Sequence, residues 1–238
     1  MPHEIMNENQ VAAYLHMDVR ELTKLASRGQ IPCRKVGGRF QFHKGEVDHW
    51  VERHMHTMGK ERIEGIEKGV SAHHGFDVES LVIWPLIPPK GIAVPLEAKT
   101  RDSVIRELVA LAERADLVYE RDTLIEQVHK REELCSTAMV PGVALPHPRH
   151  PLPYGIATSF VVVGLAPSGI PYGAPDGSLS RLFFLICSKD DRTHLHVLAR
   201  LALVLQEKGA VDDLLSAQAP DELGALLAQH EQAVLGKR

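Results

Sequence analysis

The sequence predicts an α/β protein in two parts: a small winged helix-turn-helix domain, then an α/β domain with a mixed sheet flanked by helices. Three observations carry that expectation. Two helix-start signals follow one another between residues 7 and 30. The basic segment just beyond them is split by a Gly-Gly pair. Past Ser80, short β-branched and aromatic runs alternate with amphipathic helical stretches, the pattern of a sheet covered by helices. The expected boundaries are residues 1–56 for the first domain, 57–79 for a linker and 80–235 for the second domain.

In the first domain, Asn7 with Gln10 three places on has the form of a capping box. Val11, Tyr14 and Leu15 fall on one face behind it, which predicts a helix over 7–17. Asp18 with Glu21 repeats the start signal, Leu22, Leu25 and Ala26 supply a second stripe, and Gly29 suits the position just past a helix end. Two short helices with almost no linker make a helix-turn-helix unit, whose second helix exposes Arg20, Lys24 and Arg28. Val36-Gly37-Gly38-Arg39 then marks a hairpin, and Val47, Trp50 and Val51 a third helix.

Charge is concentrated in the same place. The chain as a whole carries a formal charge of -4. Between Arg20 and Lys44, seven basic residues face only Glu21, leaving a local +6. Such a segment reads as a footprint for a polyanion, with a merely solvated helix face as the alternative.

The order of helix, turn, helix, basic hairpin and helix ending in Trp, carried by ASRGQIPCRKVGGRFQFHKGEVDHWV, resembles the excisionase-type winged-helix domains related to the MerR family. The resemblance covers about Asn7 to Arg53. It implies DNA contacts from the second helix and the wing, through Arg20, Lys24, Arg28, Arg34, Lys35 and Arg39. A winged helix that binds protein instead remains the other reading.

Residues 54–74 are charged and punctuated by glycine, with a weak period in Ile63, Ile66 and Val70, and are expected as a partly helical linker. His54, His56, His73 and His74 have no Cys, Asp or Glu at a ligand spacing, so no metal is expected there.

The second domain opens on LVIWPLIP, expected as a short strand or arm. Thr100 caps a helix bearing Val104, Leu108 and Leu111, and a second helix over 122–130 leads into Arg131-Glu132-Glu133. Residues 134–149 read as extended, SFVVVGL and RLFFLICS as strands, 193–205 as a leucine-rich helix, and about 221–227 as a last one. The apolar runs 160–163 and 182–186 are too short to cross a bilayer. Three widely spaced cysteines and the absence of a leader fit a cytoplasmic protein.

His147 stands between Pro146 and Pro148. Each proline fixes its own φ, and the residue before a proline is pushed out of the α region, so His147 sits on a stiff, extended backbone. That setting suits a ring that presents one nitrogen to another molecule, against the alternative of a structural histidine.

KREELCSTAMVPGVALPHPR followed by SKDDRTHLHVLARLALVL resembles the type-2 enzyme IIA domain of the bacterial sugar phosphotransferase system, in its fructose, mannitol and nitrogen-regulatory branch. The resemblance spans about Ser80 to Glu231. It implies that His147 accepts a phosphoryl group from a small phosphocarrier protein. It implies further that Arg131, sixteen positions earlier, and His194, at the start of a helix, attend the acceptor ring. Pro148 departs from the family's pattern, standing where relatives usually carry glycine, which removes an N–H and flexibility beside the acceptor.

The chemistry is coherent in its own terms. Neutral imidazole is a competent nucleophile near neutral pH. Phosphoryl transfer asks the protein mainly for positioning and positive charge, which a planar guanidinium supplies bidentately. The two halves together imply a regulator that converts phosphotransferase flux into transcription. Its partners would be a phosphocarrier and double-stranded DNA, with a homo-oligomer possible, and no cofactor, metal or membrane insertion expected. The alternatives are a phosphocarrier or protein-interaction regulator that does not bind DNA, and an unphosphorylated anion sensor.

Overall fold

The computed structural model describes residues 4–74, 80 and 82–236. It divides into two compact units, Met1–Ser80 with Leu198–Leu203, and Leu81–Val197 with Val204–Arg238.

The first unit begins with strand β1 (Ile5–Asn7) and helix α1 (Glu8–Tyr14). The Asn7–Gln10 capping box forms in both directions, at 2.8 and 3.0 Å. Asp18 then caps α2 (Val19–Ser27). Strands β2 (Arg34–Val36) and β3 (Arg39–His43) make the hairpin, with Gly37 and Gly38 at φ +59° and +83°. Both turn residues are thus in the left-handed region that a tight two-residue hairpin needs. β1 adds to the other edge of β3, giving a three-stranded antiparallel sheet.

Helix α3 (Lys44–His54) is held back on the helix-turn-helix by the Trp50 indole, which donates to the Gln30 carbonyl at 2.6 Å. Lys44 closes the basic window in sequence, but it does not belong to the exposed charge. Its ammonium is buried against Asp48 at 2.7 Å, and the Tyr14 hydroxyl donates to the same carboxylate at 2.8 Å. Burial raises the Asp48 pKa, and Lys44 opposes that shift.

Residues 60–74, within the segment expected as a linker, form helix α4 (Lys60–His74), with Ile63, Ile66 and Val70 buried. The side chains of His56, His73 and His74 lie outside the described residues. The glycines that read as punctuation are packing positions. A Cβ on Gly69 would run into the Tyr14 carbonyl oxygen, and one on Gly65 would stand 2.6 Å from the His16 ring. Gly69→Ala is therefore expected to destabilise the first unit by about 1–3 kcal/mol through overpacking. Gly59→Ala, which meets nothing within 4 Å, is the control in the same urea titration.

The second unit is built on a five-stranded sheet. Its strands are β4 (Ile92–Ala93), β5 (Ala138–Val140), β6 (Gly142–Ala144), β7 (Phe160–Ile170) and β8 (Ser180–Cys187), in the order β4-β7-β8-β6-β5. β4 runs parallel to β7 and β6 parallel to β8, while β7–β8 and β5–β6 are antiparallel, so the sheet is mixed. Helices α5 (Arg101–Glu113) and α6 (Arg121–Leu134) precede the centre, and α7 (Asp191–Gln206), apart from its Leu198–Leu203 stretch, α8 (Ala210–Ser216) and α9 (Pro220–Gly236) follow it. Val104, Leu108 and Val128 from the helices and Phe160, Val162, Phe183 and Leu185 from the strands share one apolar core. No helix among the described residues is long and apolar enough to cross a membrane.

Four expectations change. LVIWPLIP is not a strand: Trp84–Leu86 is a single 3₁₀ turn. Leu81 lies outside the described residues. Glu231 of α9 explains the shape, because its carboxylate takes the N–H groups of Val82, Ile83 and Trp84 at 2.6–3.0 Å, leaving none of them for a ladder. α6 runs on to Leu134, so Arg131 and Glu132 lie inside the helix and are buried, not beyond it. The last helix is longer than 221–227, and α8 and β4 have no counterpart among the sequence expectations.

Candidate functional site

His147 lies just past the end of β6, on backbone fixed from both sides. The Leu145 N–H donates to the Thr137 carbonyl at 3.0 Å, and the Ile186 N–H to the Pro146 carbonyl at 3.0 Å. Pairing with β5 on one side and β8 on the other thus continues up to the histidine, and Pro148 is buried behind it.

The ring is held equally firmly. Its Nδ1 lies 2.7 Å from the Leu145 carbonyl oxygen, and its Nε2 accepts from the Arg131 Nε–H at 3.1 Å. A carbonyl only accepts and a guanidinium only donates. Those partners assign the proton to Nδ1 and leave a lone pair on Nε2. His147 is therefore placed with its proton on Nδ1 and its lone pair on Nε2. It is 3% exposed.

Arg131 comes from the last turn of α6 and is 5% exposed. Its Nη1 donates to the Cys135 carbonyl at 3.0 Å, which ties the guanidinium to the helix end and turns its fork toward the histidine. His194 lies in the first turn of α7. Asp190 caps that helix, accepting from the Thr193 N–H at 2.9 Å. The His147 and His194 rings are 4.9 Å apart between centroids, tilted by 55°. The structure thus brings Arg131, His147 and His194 together. The start of a sixteen-residue helix adds backbone N–H groups that favour an anion. His150 is exposed, and His196 is buried further along α7.

Sequence reasoning did not single out Leu145, whose carbonyl sets the tautomer, nor the Glu132–Thr137 pair beneath it. The signal of the Glu132–Thr137 pair in the sequence is the R-E-x-x-x-S-T spacing, which does not say which backbone groups the side chains meet.

In the first unit, Arg20 and Lys24 stand on α2, Arg28 at its C-terminal end, Arg34 and Lys35 on β2 and Arg39 on β3. All six are exposed, and Glu21, the one acid in the window, is engaged by Arg62.

Residues 86–230 match the family described as "Phosphoenolpyruvate-dependent sugar phosphotransferase system, EIIA 2", and residues 5–55 match a "Helix-turn-helix domain". The PTS system fructose-specific EIIABC component of Bacillus subtilis is 28% identical over 152 residues, covering 63% of this chain and 24% of that protein. The chain thus corresponds to about a quarter of that relative's length. Among solved structures, the nitrogen regulatory protein IIA-Ntr from Neisseria meningitidis aligns with TM-score 0.53 and 27% identity, covering 59% of this chain and 96% of that one. Enzyme IIAMtl of Escherichia coli, solved with phosphorylated enzyme IIBMtl, aligns with TM-score 0.51 and 21% identity over 59% of this chain and 95% of that one, a likeness of fold. With the match to the EIIA family extending over more than half of its residues, the chain belongs to the type-2 EIIA family of the phosphotransferase system, and it carries a helix-turn-helix domain ahead of that region.

Proposed function

We propose that His147 accepts a phosphoryl group on Nε2 from a histidine-phosphorylated carrier of the phosphotransferase system, and that the protein couples this event to DNA binding in the cytoplasm. The domains are proposed as residues 1–56, which bind DNA, 57–79, which join, and 80–235, which accept the phosphoryl group. The observation that carries the reading is the pair of bonds on His147, Nδ1 to the Leu145 carbonyl and Nε2 to Arg131.

In the transfer, the N–P bond of the donor phosphohistidine breaks as the Nε2–P bond forms. The electron pair of the broken bond stays with the donor ring, and the Nδ1 proton of His147 stays on its ring, bonded to the Leu145 carbonyl. Positive charge builds on the His147 ring as Nε2 bonds to phosphorus, and that carbonyl favours it. The Nε2 lone pair that bonds to phosphorus is the one that accepts from the Arg131 Nε–H. That N–H is released as the bond forms and turns to the phosphoryl oxygens, and His194 with the start of α7 adds donors beside them. The phosphoryl group brings roughly two negative charges to this region, the change that would alter DNA affinity.

The test is incubation with phosphoenolpyruvate, enzyme I and the phosphocarrier, followed by intact mass. One acid-labile phosphoryl group is expected on the wild type and none on His147→Ala. For the first domain, affinity for duplex DNA is expected to fall with salt at a log–log slope of about 0.9 per phosphate neutralised. Lys35→Ala with Arg39→Ala should flatten that slope by about one for each phosphate no longer neutralised. A salt-independent association, or none, would make the winged helix a protein-binding module.

A further inference from the structure

We propose that Glu132 is a positioning residue for phosphoryl acceptance, holding the acceptor ring in its Nδ1–H tautomer at a set distance from Arg131 through a closed circuit of hydrogen bonds; this rests on the reading of His147 as the acceptor.

The circuit starts and ends on neighbouring residues of α6. Glu132 is 3% exposed, and its carboxylate takes both donors of Thr137, the backbone N–H on Oε2 at 3.2 Å and the hydroxyl on Oε1. The Thr137 carbonyl then accepts from the Leu145 N–H at 3.0 Å. The Leu145 carbonyl accepts from His147 Nδ1–H at 2.7 Å, and His147 Nε2 accepts from Arg131 Nε–H at 3.1 Å. Arg131 and Glu132 are adjacent, so the loop closes on the helix.

Each link fixes the next. Thr137 leads into β5, a strand of three residues that is the last of the sheet. Among the described residues its neighbour in the sheet is the equally short β6, with an irregular register between them. Cross-strand bonds alone hold such an edge weakly, and a buried carboxyl gripping Thr137 from α6 is what the edge otherwise lacks. Where Thr137 goes, the Leu145 carbonyl follows.

That carbonyl decides the tautomer. In water an imidazole favours its proton on Nε2, the atom that must be bare to attack phosphorus, and the other ring nitrogen's partner is what reverses the preference. An Nε2–H would also point at the Arg131 N–H, donor against donor. The surroundings of Glu132 are consistent with a structural pivot. Burial raises its pKa above the usual carboxylate range, and burial together with the Glu132 charge holds the nearby Tyr172 phenol well above its own.

The experiment follows two readouts on the full-length protein labelled with ¹⁵N-histidine. One is the tautomer of His147 from its ring-nitrogen shifts. The other is the rate of phosphoryl uptake from the phosphorylated carrier as a function of carrier concentration. Glu132→Ala is expected to move His147 toward the Nε2–H tautomer. It should slow the maximal uptake rate by about 10²-fold, the scale of a misplaced reacting group. The carrier concentration at half-maximal rate should stay unchanged, since a buried Glu132 offers the carrier no contact of its own. Glu132→Gln keeps a carbonyl oxygen for Thr137 and should restore most of both readouts.

Should the alanine variant fail to fold, Glu132→Asp carries the same expectation, because withdrawing the carboxyl by one methylene breaks its grip on both Thr137 donors. A folded Ala or Asp variant with the native tautomer and the native rate would overturn the proposal. The tautomer is measured without any phosphoryl donor. A wild type that takes up no phosphate therefore counts against the acceptor reading, while the shift in Glu132→Ala still decides the circuit.

Discussion

Arg131→Lys should slow phosphoryl uptake by about 10²–10³-fold, the usual cost of losing one preorganised donor to a developing oxyanion. Arg131 is bound through Nε to His147 and through Nη1 to the Cys135 carbonyl, so the fork is oriented before any phosphate arrives. A lysine ammonium keeps the charge but is a point donor on a flexible stem, and it cannot stay tied to Cys135 while a donor passes from Nε2 to a phosphoryl oxygen. The loss should appear in the maximal rate. The His147 tautomer should persist, because the Leu145 carbonyl holds Nδ1 independently of the guanidinium. Rapid-quench measurement with the phosphorylated carrier checks this. A lysine variant within about threefold of wild type would mean that the guanidinium serves folding alone.

The largest effect on stability is expected at Arg200. Within the first unit it is fully buried, donating to Glu67 at 2.6 Å and to the Ser80 carbonyl at 2.9 Å, and Glu67 is fully buried too. Arg200→Met strands the Glu67 charge and should cost about 3–5 kcal/mol, whereas replacing both residues by methionine should recover most of that or exceed wild type. The desolvation of two charges is what the apolar pair avoids, and Coulomb attraction at close range is what the single variant loses. Urea denaturation followed by Trp50 fluorescence in a Trp84→Phe background measures both variants and their coupling. Simple additivity of Glu67→Met and Arg200→Met would show that the two charges are not bound to each other's fate.

The first unit was legible where local chemistry and fold agree. The Asn7–Gln10 box, the Gly37-Gly38 turn and the Trp50 helix are each decided within a few residues of chain, and each stands where the pattern put it. α4 was less legible, because Gly65 and Gly69 lower helix propensity locally. Their reason, the close approach of the α1 backbone, is tertiary. LVIWPLIP left strand and arm both open because apolar content says nothing of where the N–H groups go. They go to Glu231, almost 150 positions away in sequence.

Of the candidate site, the prolines around His147 marked a stiff presentation, and family resemblance supplied Arg131 and His194. The tautomer could not be read in advance. It depends on a backbone carbonyl two residues back, aimed by strand pairing that only the folded sheet provides. The burial of Arg131 and Glu132 inside α6 was hidden for a related reason. Charged residues in a helix normally face solvent, and these two face the histidine and its support.

The most direct measurement is a long-range ¹H–¹⁵N spectrum of ¹⁵N-histidine-labelled protein phosphorylated by the carrier and recorded with ³¹P coupling. The expected result is a phosphorus coupling on Nε2 of His147, with Nδ1 still protonated toward the Leu145 carbonyl. Phosphorus on Nδ1, on His194, or on neither ring would contradict the assignment of His147 Nε2 as the atom that takes the phosphoryl group.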